Sequence, residues 1–172
     1  MYRWKKPSYG EIEIEQLELV TEIAAASLGF IAIFVAVSNA KGRFTGSDRH
    51  FVKAQVLASS MAMVVSLSPS TLMLFVSETA AWNYTLYLTL SLGSVMGILM
   101  GLEQKNVILN REEGESLLWH IPPWVIALCM FILGVYAIYT GNKIEEVVIA
   151  AATLCIPLSL WNFVALVFRR FF

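Results

Sequence analysis

TAAWNYTLYLTLSLGSVMGILMGL, residues 79–102, contains no Asp, Glu, Lys or Arg. A helix rises about 1.5 Å per residue and the hydrocarbon core of a bilayer is about 30 Å thick, so about 20 apolar residues are enough to cross it. This stretch is long enough, and it carries no charge that would hold it in water. Working outward, residues 54–77, 121–142 and 147–168 are charge-free over comparable lengths, and 23–40 is a shorter run that starts beside Glu22. The reading is an all-α, multi-pass transmembrane helix bundle with five spans, preceded by an acidic amphipathic extension over 1–22. The alternative is four spans with a non-crossing N-terminal segment over 23–40. Five spans are preferred, because a half-inserted helix leaves backbone groups unpaired unless protein covers them.

Composition points the same way. Of the 172 residues, 58% are hydrophobic and 15% charged, whereas globular chains run near 45–50% apolar and about 25% charged. A water-soluble domain of this length leaves much of its surface exposed and could not bury that excess. The net charge is −1, so no basic face suited to nucleic acid is expected. Residues 1–16 lack the continuous apolar core of a cleavable signal peptide, and the first span is expected to be retained.

The connections are short and punctuated. Ser47 is a plausible N-cap for the second helix, with Asp48 favourable in its first turn. Pro122 and Pro123 suit the first turn of the fourth, where a missing N–H costs nothing. Gly141 and Asn142 mark the last turn. Pro69 and Pro157 fall inside spans and should bend them, with Ser66, Ser68 or Ser70 available to bond carbonyls freed near Pro69. Trp82, Tyr84, Tyr87, Trp119, Trp124, Tyr136 and Tyr139 lie near span ends, where amphipathic rings settle at headgroup level.

Lys and Arg set an expected orientation. With five spans, Lys41, Arg43, Arg49, Lys53, Lys105, Arg111, Arg169 and Arg170 share one side, against Arg3, Lys5, Lys6 and Lys143 on the other. Loops 41–53 and 103–115 and the C-terminus are therefore expected in the cytoplasm, and the plasma membrane of a prokaryote is the expected location.

Three features could carry function. Thr85, Thr89, Gly93, Gly97 and Gly101 recur every four residues on one narrow face of the third span. Small residues at that spacing let helix backbones approach closely, within the chain or between copies. Small faces also occur elsewhere: Ala25, Gly29, Ala32, Ala36 and Ala40 on the first span, Ser59, Ala62, Ser66 and Ser70 on the second, Ala127, Gly134, Ala137 and Gly141 on the fourth, and Ala151, Cys155 and Ser159 on the fifth. The second feature is acidic. Glu11, Glu15, Glu18 and Glu22 share a helix face that continues into Ala25 and Gly29, which would aim Glu18 and Glu22 at the bundle as a candidate proton or cation site. The third is Asn162 and Gln55, candidates for hydrogen bonds between helices.

Other chemistry has little to stand on. Cys129 and Cys155 read as small buried hydrophobes, not as a disulfide or metal pair. His50 and His120 have no thiol, carboxylate or second imidazole at ligand spacing. Nucleophile–base motifs, phosphate loops and HExxH are absent from the sequence. No catalytic residue, metal or cofactor is expected. The reading is a non-enzymatic membrane protein that acts through helix packing, with itself as a homo-oligomer or with a membrane partner. A small channel or transporter using Glu18 and Glu22 is the alternative.

Overall fold

A computed structural model describes residues 9–39, 46–109 and 121–171. The chain forms five α-helices: α1 (Tyr9–Asn39), α2 (Gly46–Leu72), α3 (Glu78–Leu109), α4 (Ile121–Thr140) and α5 (Ile144–Phe171). Each contains a stretch long and apolar enough to cross a membrane, and the molecule is a multi-pass, all-helical bundle.

The helix ends follow from local chemistry. Asp48 lies in the first turn of α2 and Glu78 in that of α3, where a carboxylate favours the positive end of the helix dipole. α2 stops at Leu72, short of the expected 77. Pro69 sits inside its last turn, and the chain then closes tightly, with Met73 N–H bonding Pro69 O and Val76 N–H bonding Leu72 O. The hydroxyls near the proline bond the carbonyls of Met63, Val64 and Leu67. None of these is the Val65 carbonyl that Pro69 deprives of its donor. Between α4 and α5 the turn needs left-handed backbone. Gly141 takes φ +64° and Lys143 φ 58°, and Gly141 N–H caps the Ala137 carbonyl at 2.9 Å, as glycine does past a helix end.

The helices are not equally central. In their most apolar windows, 39% of α2 and 33% of α5 is buried, against 11% of α4. α2 and α5 make the most extensive contact in the bundle, α1 packs on both, and α3 and α4 touch each other only sparsely. The core of this α1–α2–α5 unit is built of small side chains, including Ala24, Ala62, Val65, Val148, Ala152 and Cys155. In lipid, burial of apolar surface does not drive helices together. Close van der Waals fit does, and small residues make that fit possible. A second cluster, Ile31, Phe51, Ala165 and Leu166, closes one end, where Phe34 and Phe163 meet edge to face at 5.9 Å.

Several side chains face otherwise than the sequence suggested. Trp82 is buried in the core, while Tyr84, Tyr87, Tyr136 and Tyr139 are exposed; Trp119 and His120 fall outside the described residues. Cys129, expected to be buried, is exposed on α4, and only Cys155 of the pair is internal. The side of α1 bearing Ala25, Gly29, Ala32 and Ala36 faces outward, and a Cβ at Gly29 would meet nothing within 4 Å. What α1 buries is the line Leu17, Val20, Ala24 and Ile31, which starts before residue 23 and runs on through the unbroken helix.

Candidate functional site

Two polar or open features lie inside the bundle. The first is a hydroxyl seam where α1, α2 and α5 meet. Ser159 Oγ lies 2.8 Å from both Ser27 Oγ and Ser59 Oγ, and Ser59 Oγ lies 3.3 Å from Ser27 Oγ. Gln55 Nε2 donates to Ser27 Oγ at 3.1 Å. Further along the same interface Thr21 Oγ1 and Ser66 Oγ stand 2.6 Å apart. These partners order the helices: 21 faces 66 and 27 faces 55 and 59, so α1 and α2 are antiparallel. Hydroxyls satisfied across helices also fix their rotation, because each must find a partner where water is absent. Gln55 Oε1 is an exception, buried with no hydrogen-bond partner among the described residues.

The second feature is an apolar cleft of about 180 Å³. Its floor is α2 and α5 and its walls are α3 and α4. The walls meet at two closures. At one, Gly134 packs so tightly on Leu90 that a Cβ there would lie 2.5 Å from Leu90 Cδ2. At the other, the Trp124 ring lies over Gly101, within 3.0 Å of where its Cβ would be, and the indole N–H donates to Gln104 Oε1. Between Leu90 and Gly101 the helix rises about 16 Å, and within that interval the walls part. Gly93 meets the Met61 methyl of α2 at 3.3 Å, while a Cβ at Gly97 would meet nothing within 4 Å.

The glycine stripe of α3 therefore divides. Thr85 and Thr89 are buried, their hydroxyls satisfied by the carbonyls of Ala81 and Thr85. Gly93 and Gly101 are covered by side chains, and Gly97 faces open space in the cleft. No helix backbone of the same chain fills that space. The close-contact glycine between α3 and α4 is Gly134, from the small-residue face of the fourth span, and its partner is Leu90, not another small residue.

Apart from the hydroxyls of Thr89 and Ser94, the cleft is polar near one end. His50, Gln104 and Asn162, all buried, line it there, and Lys53 Nζ bonds Glu103 Oε1 at 2.6 Å beside it. Asn162 thus opens on the cleft, whereas Gln55 belongs to the seam. Arg49 and Lys105, each one residue from a lining residue, are exposed.

Glu18 and Glu22 are not aimed at the bundle. Both are exposed, as is Glu15. The helix turns about 100° per residue, so a buried line through Leu17, Val20 and Ala24 leaves the Glu15–Glu18–Glu22 line facing outward. Neither carboxylate lines the cleft or the seam, and among the described residues no group of three His, Cys, Asp or Glu is placed to hold a metal ion. No protein-family model, curated protein or solved structure matches the chain.

Proposed function

We propose that this chain is a non-enzymatic multi-pass membrane protein that works by binding inside the bilayer, with the cleft between α3 and α4 as its receptor site. One observation carries the reading. The α3 wall is smooth and uncovered at Gly97, although the same stripe is covered at Gly93 and Gly101. A cleft of about 180 Å³ suits an inserted side chain or hydrocarbon chain. Ligand sites are commonly concave, mainly apolar, and finished by a few polar groups, and His50, Gln104 and Asn162 supply those here.

A photoreactive diazirine residue tests this in native membranes. Placed at Ser94, on the cleft wall, it should give one discrete adduct. At Val95, which is 55% exposed, it should label bulk lipid diffusely. Indistinguishable diffuse labelling from both positions would remove the receptor reading.

The orientation belongs to the same proposal. The end bearing loops 41–53 and 103–115 carries eight of the twelve Lys and Arg residues, which supports a cytoplasmic position in a prokaryotic plasma membrane. Reporters fused after residues 46 and 110 should read cytoplasmic and one at 143 external. Reversed signals would overturn it.

A further inference from the structure

Charge is unevenly shared between the two ends of the bundle. By sequence, the end holding loops 41–53 and 103–115 and the C-terminus has eight Lys and Arg against five Asp and Glu, and the opposite end has four against eight. The imidazole and amide residues that line the cleft, His50, Gln104 and Asn162, lie toward the basic end. Arg49, Lys53 and Lys105 stand at that level on α2 and α3, with Arg49 and Lys105 exposed. Lys53, also exposed, is paired with Glu103, whereas Arg49 and Lys105 are cations turned to the surroundings.

A long apolar slot in the wall of a membrane protein, with an excess of basic side chains at headgroup level on one side, has the layout of an anionic amphiphile. From this we infer that the cleft takes one acyl chain of an anionic phospholipid from the leaflet at the basic end. The chain enters between α3 and α4 in the interval bounded by Leu90 and Gly101 and lies against Gly97. The headgroup phosphate stays outside the Trp124 closure, within reach of Arg49 and Lys105. The thioethers and methyls of Met61, Met96, Met100 and Met130 line the slot, and flexible unbranched side chains adapt to a mobile hydrocarbon. The inference rests on the receptor reading of the cleft and names its occupant.

The test uses the full chain, delipidated in maltoside micelles. Thermal unfolding is followed with added dioleoyl phosphatidylglycerol or dioleoyl phosphatidylcholine, and native mass spectrometry counts retained lipid. The wild type should be stabilised by phosphatidylglycerol in preference to phosphatidylcholine and should retain one such lipid. Gly97→Leu fills open space, so it should unfold at the wild-type temperature without lipid and lose the phosphatidylglycerol shift. Ala127→Leu plugs the opposite wall from an exposed position and should do the same, which keeps the test valid if one variant misfolds. Arg49→Gln with Lys105→Gln should keep chain binding but lower the preference for phosphatidylglycerol by up to roughly 25-fold, at about a kilocalorie for each surface cation. Phosphatidylglycerol stabilisation that survives both plugs overturns the inference. So does equal stabilisation by the two lipids, although loss of both shifts in the plugged variants would leave the cleft standing as a receptor. A lipid-free dimer that Gly97→Leu dissociates would assign the cleft to a second copy and overturn the inference in the same way. No lipid response in the wild type, with no dimer, defeats both readings.

Discussion

α1, α2 and α5 differ from α3 and α4 in how they are held. The first three meet through alanines and serines whose hydroxyls bond across the interface, and they bury the most of their length in α2 and α5. The last two touch through a glycine under a leucine and a glycine under an indole, with a gap between. In water both arrangements would be glued by apolar burial. In lipid that term is nearly absent, so contact quality alone decides which half is rigid. The three-helix unit has many close, satisfied contacts and the α3–α4 pair has few. The cleft therefore belongs to the loosely held half, with α2 and α5 of the tight half as its floor.

Filling each half with bulk separates them most strongly. Ala62 is 1% exposed in the three-helix core, and Ala62→Leu should destabilise by about 1–3 kcal/mol, the usual consequence of overpacking. Unfolding in mixed micelles titrated with dodecyl sulfate measures it, and an unchanged midpoint would mean the core is not close-packed. Next is the seam. Ser159→Ala removes a hydroxyl that lies against Ser27 and Ser59 and should lose about 0.6–1.7 kcal/mol, the range for polar contacts between membrane helices. The same assay checks this, and Ser159→Ala combined with Ser27→Ala should cost less than the two separate losses together, because the pair shares a bond.

The glycines sharpen the other side. Gly134→Ala forces Leu90 aside, partly offset by the better helix propensity of alanine, for a net loss of roughly 1 kcal/mol. Gly97→Leu should change stability least, within about 0.5 kcal/mol. Sequence spacing alone argues the reverse for Gly97, since a stripe of glycines suggests touching backbones that leucine would pry apart. A large loss at Gly97 with none at Gly134 would exchange the roles assigned to the two positions.

That reversal shows where sequence stops being legible. The five helices were readable because lipid demands long charge-free runs, and the early end of α2, at Leu72 and not at 77, comes from Pro69 and the tight turn after it. Rotation of each helix about its axis is harder. In a soluble protein the wet face is polar, so inside and outside differ chemically. Here the surroundings of a span are apolar on every side. Ala25 and Gly29 look as inward as Ala24 yet face out, Cys129 looks like Cys155 yet is exposed, and Trp82 reads as an interfacial ring yet lies in the core. Hydroxyls and amides are more informative, because Gln55, Ser59, Ser66 and Ser159 need partners that lipid tails do not offer. The gap at Gly97 had no signal in sequence, since an empty space and a covering side chain are both compatible with glycine.

The lean hydropathy of α2 has a consequence for how the protein is made. It is the least apolar of the five candidate spans and the most enclosed, and its principal neighbour is α5, which leaves the ribosome after the other four. At about 5–20 residues per second, some 5–20 s separate the synthesis of Leu72 from that of Phe171. Throughout that interval Ser27 of α1 is the seam partner open to Gln55 and Ser59, and the shorter contact of Ser59 with Ser159 waits for α5. The nascent chain would therefore hold α2 against α1 as an incomplete hairpin, and arrival of α5 is the event that closes the seam. A ribosome stalled between α4 and α5 would leave in the membrane a protein with four spans present and its polar seam open along one side.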